Sequence, residues 1–259
     1  MRMRASLLGL LTATLSALPA AADTTIRTNS SDHGQATIYI SGSRVAMDNA
    51  GDQHTTIYDG SAERMTFVDH GQRQYQRIGR EQMEQIAQQM QRMREQFRKQ
   101  LQTMPEDQRE EMRKQMESMM PGAGEPPEIR VEPTGGTTTV AGTSCRQARV
   151  YRDGELAHEV CVAAPEAAGI ARDDFDTITA MFGFFERMMG PMGGAERDIG
   201  PRTMTRLMQQ MGGMPLRARN VDGGSRWEIT GVSSDAVPDD RFAIPDGYSK
   251  GKSLGDTMQ

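Results

Sequence analysis

The sequence predicts an α+β fold, with helices lying against one face of a curved antiparallel β-sheet. Three observations predict it. Short runs rich in β-branched and aromatic residues, separated by turn residues, fill the region up to Ile78. At Arg80 the apolar period lengthens to the three-and-four spacing of an amphipathic helix. Strand-like runs then resume at Thr137, so strands flank the helices on both sides in the chain.

The chain opens on a segment that reads as an export signal. Arg2 and Arg4 supply a positive start, Ala5 to Leu18 is mostly apolar, and Ala20-Ala21-Ala22 fits a small-residue cleavage site before Asp23. Residues 1–22 are therefore expected to be removed, leaving a single domain over 23–259, periplasmic or secreted, with no transmembrane segment after cleavage. The formal charge is −5; without the two leader arginines the balance is 28 positive against 35 negative, or −7. An acidic chain with no basic block is not a nucleic-acid binder.

The first strands are expected at "QATIYI", "RVAMD", "HTTIYD", "RMTFVDH" and "RQYQRI", punctuated by Ser41-Gly42, Asn49-Ala50-Gly51, Asp59-Gly60 and His70-Gly71. In "RMTFVDH", Met65 and Phe67 share one face, and Thr66 and Val68 the other, an imperfect alternation. A helix follows with Met83, Ile86, Met90, Met93 and Phe97 on its apolar face. Thr103 and Glu106 resemble a capping box and Pro105 suits a first turn, so a second helix should carry Met112 and Met116 to Pro121. The two would form a helical hairpin over 80–120, with a linker over 121–136. Eight positive and eight negative side chains in this hairpin describe a solvated exterior.

The two cysteines, Cys145 and Cys161, flank a hairpin whose three-residue loop is Arg152-Asp153-Gly154. That register sets Tyr151 opposite Glu155 and Cys145 opposite Cys161, within disulfide reach. A later helix, capped by Asp173, should present Phe175, Ile178, Phe182, Phe185 and Met189 on one face. Pro201 opens another, with Met204, Leu207, Met208 and Met211, closed by Gly212-Gly213. "LRARNV" and "SRWEITGVSS" form a closing hairpin around Asp222-Gly223-Gly224, and "RFAIPDGYSK" a final extended segment.

"YISGSRVAMDNAG", "TTIYDG", "MTFVDHGQRQYQRI", the methionine- and glutamine-rich helix and "DDRFAIPDGYSK" together resemble exported bacterial proteins grouped as domain of unknown function family 4412. Such proteins look like outer-membrane lipoprotein carriers. The resemblance implies a half-open sheet whose concave side is covered by helices, and an acyl chain held between the two. No carrier residue transfers position by position; Arg44 is a candidate by position alone for the arginine near such a cavity.

Enzyme constellations are missing from the pattern. No two of His33, His54, His70 and His158 stand at zinc-ligand spacing, and there is no nucleophile elbow. The expectation is a non-enzymatic protein without a cofactor. Its ligand would be apolar, a lipid or acyl chain, or its partner an envelope protein, bound through the apolar helical faces. A Cu(I) site at Met112, Met116, Met119 and Met120 is the alternative, since thioethers suit that ion; helical spacing favours packing instead. A chaperone-like surface for exposed apolar protein segments is the other alternative, because methionine adapts to varied partners.

Overall fold

The computed structural model describes residues 23–49, 51, 53–103, 105, 108–109, 127–189 and 199–251, apart from some helical side chains. Twelve strands form one open sheet in the order β12-β6-β5-β4-β3-β2-β1-β11-β10-β9-β8-β7. They are β1 Thr24–Ser30, β2 Gly34–Ser41, β3 Arg44–Asn49, β4 His54–Asp59, β5 Arg64–Asp69, β6 Gln74–Gly79, β7 Ile129–Val140, β8 Thr143–Arg152, β9 Glu155–Ala163, β10 Met214–Asn220, β11 Arg226–Ser233 and β12 Ser249–Lys250. Every pairing is antiparallel except that of β12 with β6. Among the described residues, three α-helices accompany the sheet: α1 Arg80–Thr103, α2 Arg172–Met189 and α3 Pro201–Met211.

The meander β2–β6 forms as expected, because each strand is short and each turn supplies a residue that reverses the chain. Strand β1, "TTIRTNS", is an addition that the strand pattern misses. It pairs with β2 on one side and β11 on the other, joining the strands before the helices to those after them. Its Thr24 hydroxyl donates to the Asp174 carboxylate of α2 at 2.5 Å. Burial pushes the Asp174 carboxyl above its ordinary range, against the lowering effect of that hydrogen bond.

One face of the sheet packs on α2. Ile26, Ile40, Val45 and Met65 are fully buried there with Ile178 and Phe184. Tyr58 stacks tilted against Phe184 at 5.6 Å and Phe67 meets Phe185 edge-on at 6.3 Å. The buried stripe of α2 differs from the expected one. Met181, Phe184 and Met188 are buried, while Phe182 and Phe185 lie at its margin, because the helix packs on the sheet and on α3 together. Asp173 is inside the first turn, not its cap: the first helical bond runs from the Phe175 amide to the Ala171 carbonyl. Helix α3 begins with Pro201 and ends at Gly212 in the left-handed region (φ 59°), as its sequence requires. Its Leu207 and Met211 pack on Ala148, Val150, Val160 and Val162, and Arg146 donates to the Met211 carbonyl at 2.8 Å.

The opposite face of β2–β6 is also covered. The C-terminal segment after Pro238 crosses it as a strap, packing Phe242, Ile244 and Tyr248 over Ala46, Ile57 and Val68. Arg44 pairs with Asp239 at 2.8 Å and stacks over Phe242 at 4.5 Å. Tyr248 meets the His70 ring nitrogen at 2.9 Å, and the strap ends by pairing alongside β6. The expectation of cover on one face is thus corrected for this half of the sheet.

Three further expectations change. Residues 129–136, expected as linker, belong to β7; Pro133 and the Gly135-Gly136 pair sit in a bulge of this edge strand, where a missing amide donor is tolerated. The β8–β9 turn has two residues, Asp153 and Gly154, both with positive φ, so Arg152 faces Glu155. A bulge between Val150 and Tyr151 shifts the register by one more residue, so Cys161 pairs with Gln147 and the disulfide to Cys145 runs diagonally, with Cα atoms 5.5 Å apart. Of the second arm of the helical hairpin only Pro105, Gln108 and Arg109 are described, with the Arg109 amide donating to the Pro105 carbonyl at 3.1 Å; the rest lies outside the described residues, as do residues 1–22. Helix α1 starts at Arg80, with the Gly79 amide donating to Gln82 Oε1 at 3.0 Å in half of a capping box.

Candidate functional site

The antiparallel sheet and the two helices α2 and α3 do not meet along their whole contact. Between them lies a cavity of about 470 Å³, within the size range of small-molecule sites. Its sheet wall is built by alternation: Ala36 and Ile38 on β2, Met47 on β3, Ala218 on β10 and Trp227 on β11. Thr28 joins them from β1, in register with Ala36 and Ile229, so all point to the helical side. Phe182 of α2, Met204 of α3 and Ile199 just before α3 form the facing wall. The chain's single tryptophan is Trp227, so one fluorophore sits in the cavity wall.

Polar groups gather where the β1–β2 and β10–β11 turns end the sheet. Ser30, His33, Asn49, Asn220 and Ser225 line that end. Asn220 is held in place by its neighbour on β9: its side-chain oxygen lies 2.7 Å from Nδ1 of His158, which is 1% exposed. With that oxygen as acceptor, Nδ1 carries the proton. The arrangement is an apolar slot with a polar end, suited to an amphipathic guest whose polar group stays near solvent.

Of the helical residues expected to contact a ligand, Phe182 alone lines the cavity among the described side chains. Phe185 packs on Phe67, and Met83 packs on the core at the start of α1. Ile86, Met90, Met93, Phe97 and Met189 have side chains outside the described residues. Met112, Met116, Met119 and Met120 lie wholly outside them, so the structure places neither the second helical face nor the copper alternative. Among the described residues, no cluster of three histidine, cysteine or carboxylate side chains is arranged to hold a metal. Arg44 faces the strap, on the side of the sheet away from the cavity. Trp227, Met47 and Ile199 carry no local signal of a site; each belongs to a different element, and only the sheet order brings them together.

No helix among the described residues is long and apolar enough to cross a membrane. No curated protein sequence matches the chain. Among solved structures, PNGF-II in a C2 crystal form aligns with 92% of this chain and 32% of its own, at 9% identity and TM-score 0.39. This chain thus spans about a third of that protein. An uncharacterized conserved protein from Thermus thermophilus aligns with 89% of this chain and 90% of its own, at 7% identity and TM-score 0.42. The family described as "Domain of unknown function (DUF4412)" matches residues 52–248, from just before β4 to Tyr248 of the strap, and the chain belongs to this family.

Proposed function

We propose that the protein is a non-enzymatic, exported binder of an apolar ligand, a lipid or acyl chain, held in the cavity between the sheet and helices α2 and α3. The observation that carries this reading is the cavity itself: about 470 Å³, walled by Ile38, Met47, Phe182, Ile199, Met204 and Trp227 and polar at one end. A solvent-accessible groove of this size with apolar walls and a few polar groups at one end has the form of a small-molecule site. An acyl chain would lie along the apolar walls, and its head group would meet the Asn49 and Asn220 end. Export follows from the leader expected over residues 1–22, with cleavage before Asp23.

Trp227 supplies the test. Titration with a brominated fatty acid should quench its emission saturably, and native mass spectrometry of protein purified from the cell envelope should show bound lipid. Ala36→Phe, which fills the cavity from β2, should weaken quenching by about tenfold or more without lowering Tm. Unquenched emission together with lipid-free protein would remove the proposal.

A further inference from the structure

The outer face of β8–β11, away from α2 and α3, carries a second groove of about 450 Å³. Strand register sorts its side chains into two rows. Arg149, Glu159, Arg219 and Arg226 face one another in sequence across β8, β9, β10 and β11. Gln147, Cys161, Arg217 and Glu228 form the adjacent row. Four arginines therefore meet two glutamates, in a chain whose formal charge is −5. Glu159 is taken by Arg219, and Glu228 by Arg226 at 3.0 Å. Glu132, opposite Arg149 on β7, is taken by Arg130. Among the described residues, Arg149 and Arg217 have no carboxylate partner.

Arg219 stands directly opposite Arg226, each compensated by its own glutamate, so the uncompensated positive charge of the face lies on Arg149 and Arg217. Arg149 and Arg217 stand two strands and two residues apart, about 12 Å between Cα atoms by sheet geometry, so their long side chains can converge above Cys161. Guanidinium groups present fixed forks of donors that match phosphate oxygens. The floor includes the disulfide-linked pair β8–β9. The bulge of β7 brings Thr134 to the rim, where its hydroxyl donates to the Gln147 carbonyl.

We propose that this groove binds a phosphate-bearing anion, with Arg149 and Arg217 as its ligands. The site is separate from the apolar cavity, which opens on the other side of the sheet. Either site can fail without the other.

The test uses the full chain at low ionic strength with two probes. Inorganic pyrophosphate is followed by amide chemical-shift perturbation, and vesicles of phosphatidylglycerol or of phosphatidylcholine are followed by co-sedimentation. The variant R149Q/R217Q is compared with R27Q/R206Q, which removes the same charge at exposed positions outside the groove. The expected result is saturable binding that R149Q/R217Q weakens by about tenfold or more and that R27Q/R206Q leaves nearly unchanged. Shifts on β8–β11 with pyrophosphate assign a soluble phosphate ligand. Retention on phosphatidylglycerol but not phosphatidylcholine vesicles, without pyrophosphate shifts, assigns a lipid head group. Absence of both at about 10 mM phosphate, or equal loss in the two double variants, overturns the proposal.

Discussion

Strands β2–β6 are buried on both faces, whereas β8–β11 are buried on one and turn charge outward on the other. In the first half, Met65 faces α2 while Val68, on the same strand, lies under the strap. In the second half, Val160 and Val162 face α3 while Glu159 faces solvent, and Ala218 is flanked by Arg217 and Arg219. The same antiparallel ladder thus supports two surface chemistries, decided by whether another segment covers the outer face. The outer face of β2–β6 is taken by the strap, whereas the outer face of β8–β11 is left open.

Removing the strap is the strongest way to break that contrast. Ending the chain before Asp239 should expose Ala46, Ile57 and Val68 and lose the packing of Phe242, Ile244 and Tyr248. The expected cost is about 4 kcal/mol or more, a fall in Tm of roughly 10 °C, with new binding of a hydrophobic dye. An unchanged thermal melt would mean that the covered half owes nothing to its cover. The second half should answer instead to its disulfide. Replacing Cys145 and Cys161 by alanine opens a link across 16 residues and should cost about 3 kcal/mol in a urea melt. A loss below about 1 kcal/mol would show that the β8–β9 pair is fixed by packing alone.

The smallest effect concerns the boundary between the halves. Burial raises the Asp174 carboxyl, so the folded chain holds that proton more tightly than the unfolded chain does. Stability is then lost as pH rises from the ordinary value of 3.8 through the raised one. Asp174→Asn keeps an acceptor for Thr24 and removes the buried charge. It should gain about 1 kcal/mol at neutral pH, roughly 2–4 °C in Tm, and the gain should vanish in acid. A gain of equal size at every pH would locate the effect outside the titration.

The sequence resolved the meander, the start of α1, all of α3 and the closing hairpin, because their signals are local: turn residues, a period, a proline and a glycine. It mislaid what depends on distant segments. The mixed pattern of "RMTFVDH" came from burial of both faces, which no neighbouring residue announces. The hairpin register was displaced by two residues, one because Asp153-Gly154 makes the whole turn and Arg152 remains in the strand, the other through the bulge between Val150 and Tyr151. Strand β1 escaped because threonine, arginine and asparagine dominate it, although Ile26 is fully buried. For the candidate site, helical period found Phe182, while Trp227 and Met47 became neighbours of it only through the sheet order.

The central position of β1 also sets an order of events. The strands β1–β6 pair with their sequence neighbours and can assemble while the chain is still emerging. The other edge of β1 must wait for β11, since Thr25 pairs with Ser233. Until then the nascent protein carries an unsatisfied row of backbone donors and acceptors in what will become its middle, a template for the wrong neighbour. Its slow step should be the docking of β11 against β1, and a second copy arriving first at that edge would be its characteristic route to misassembly.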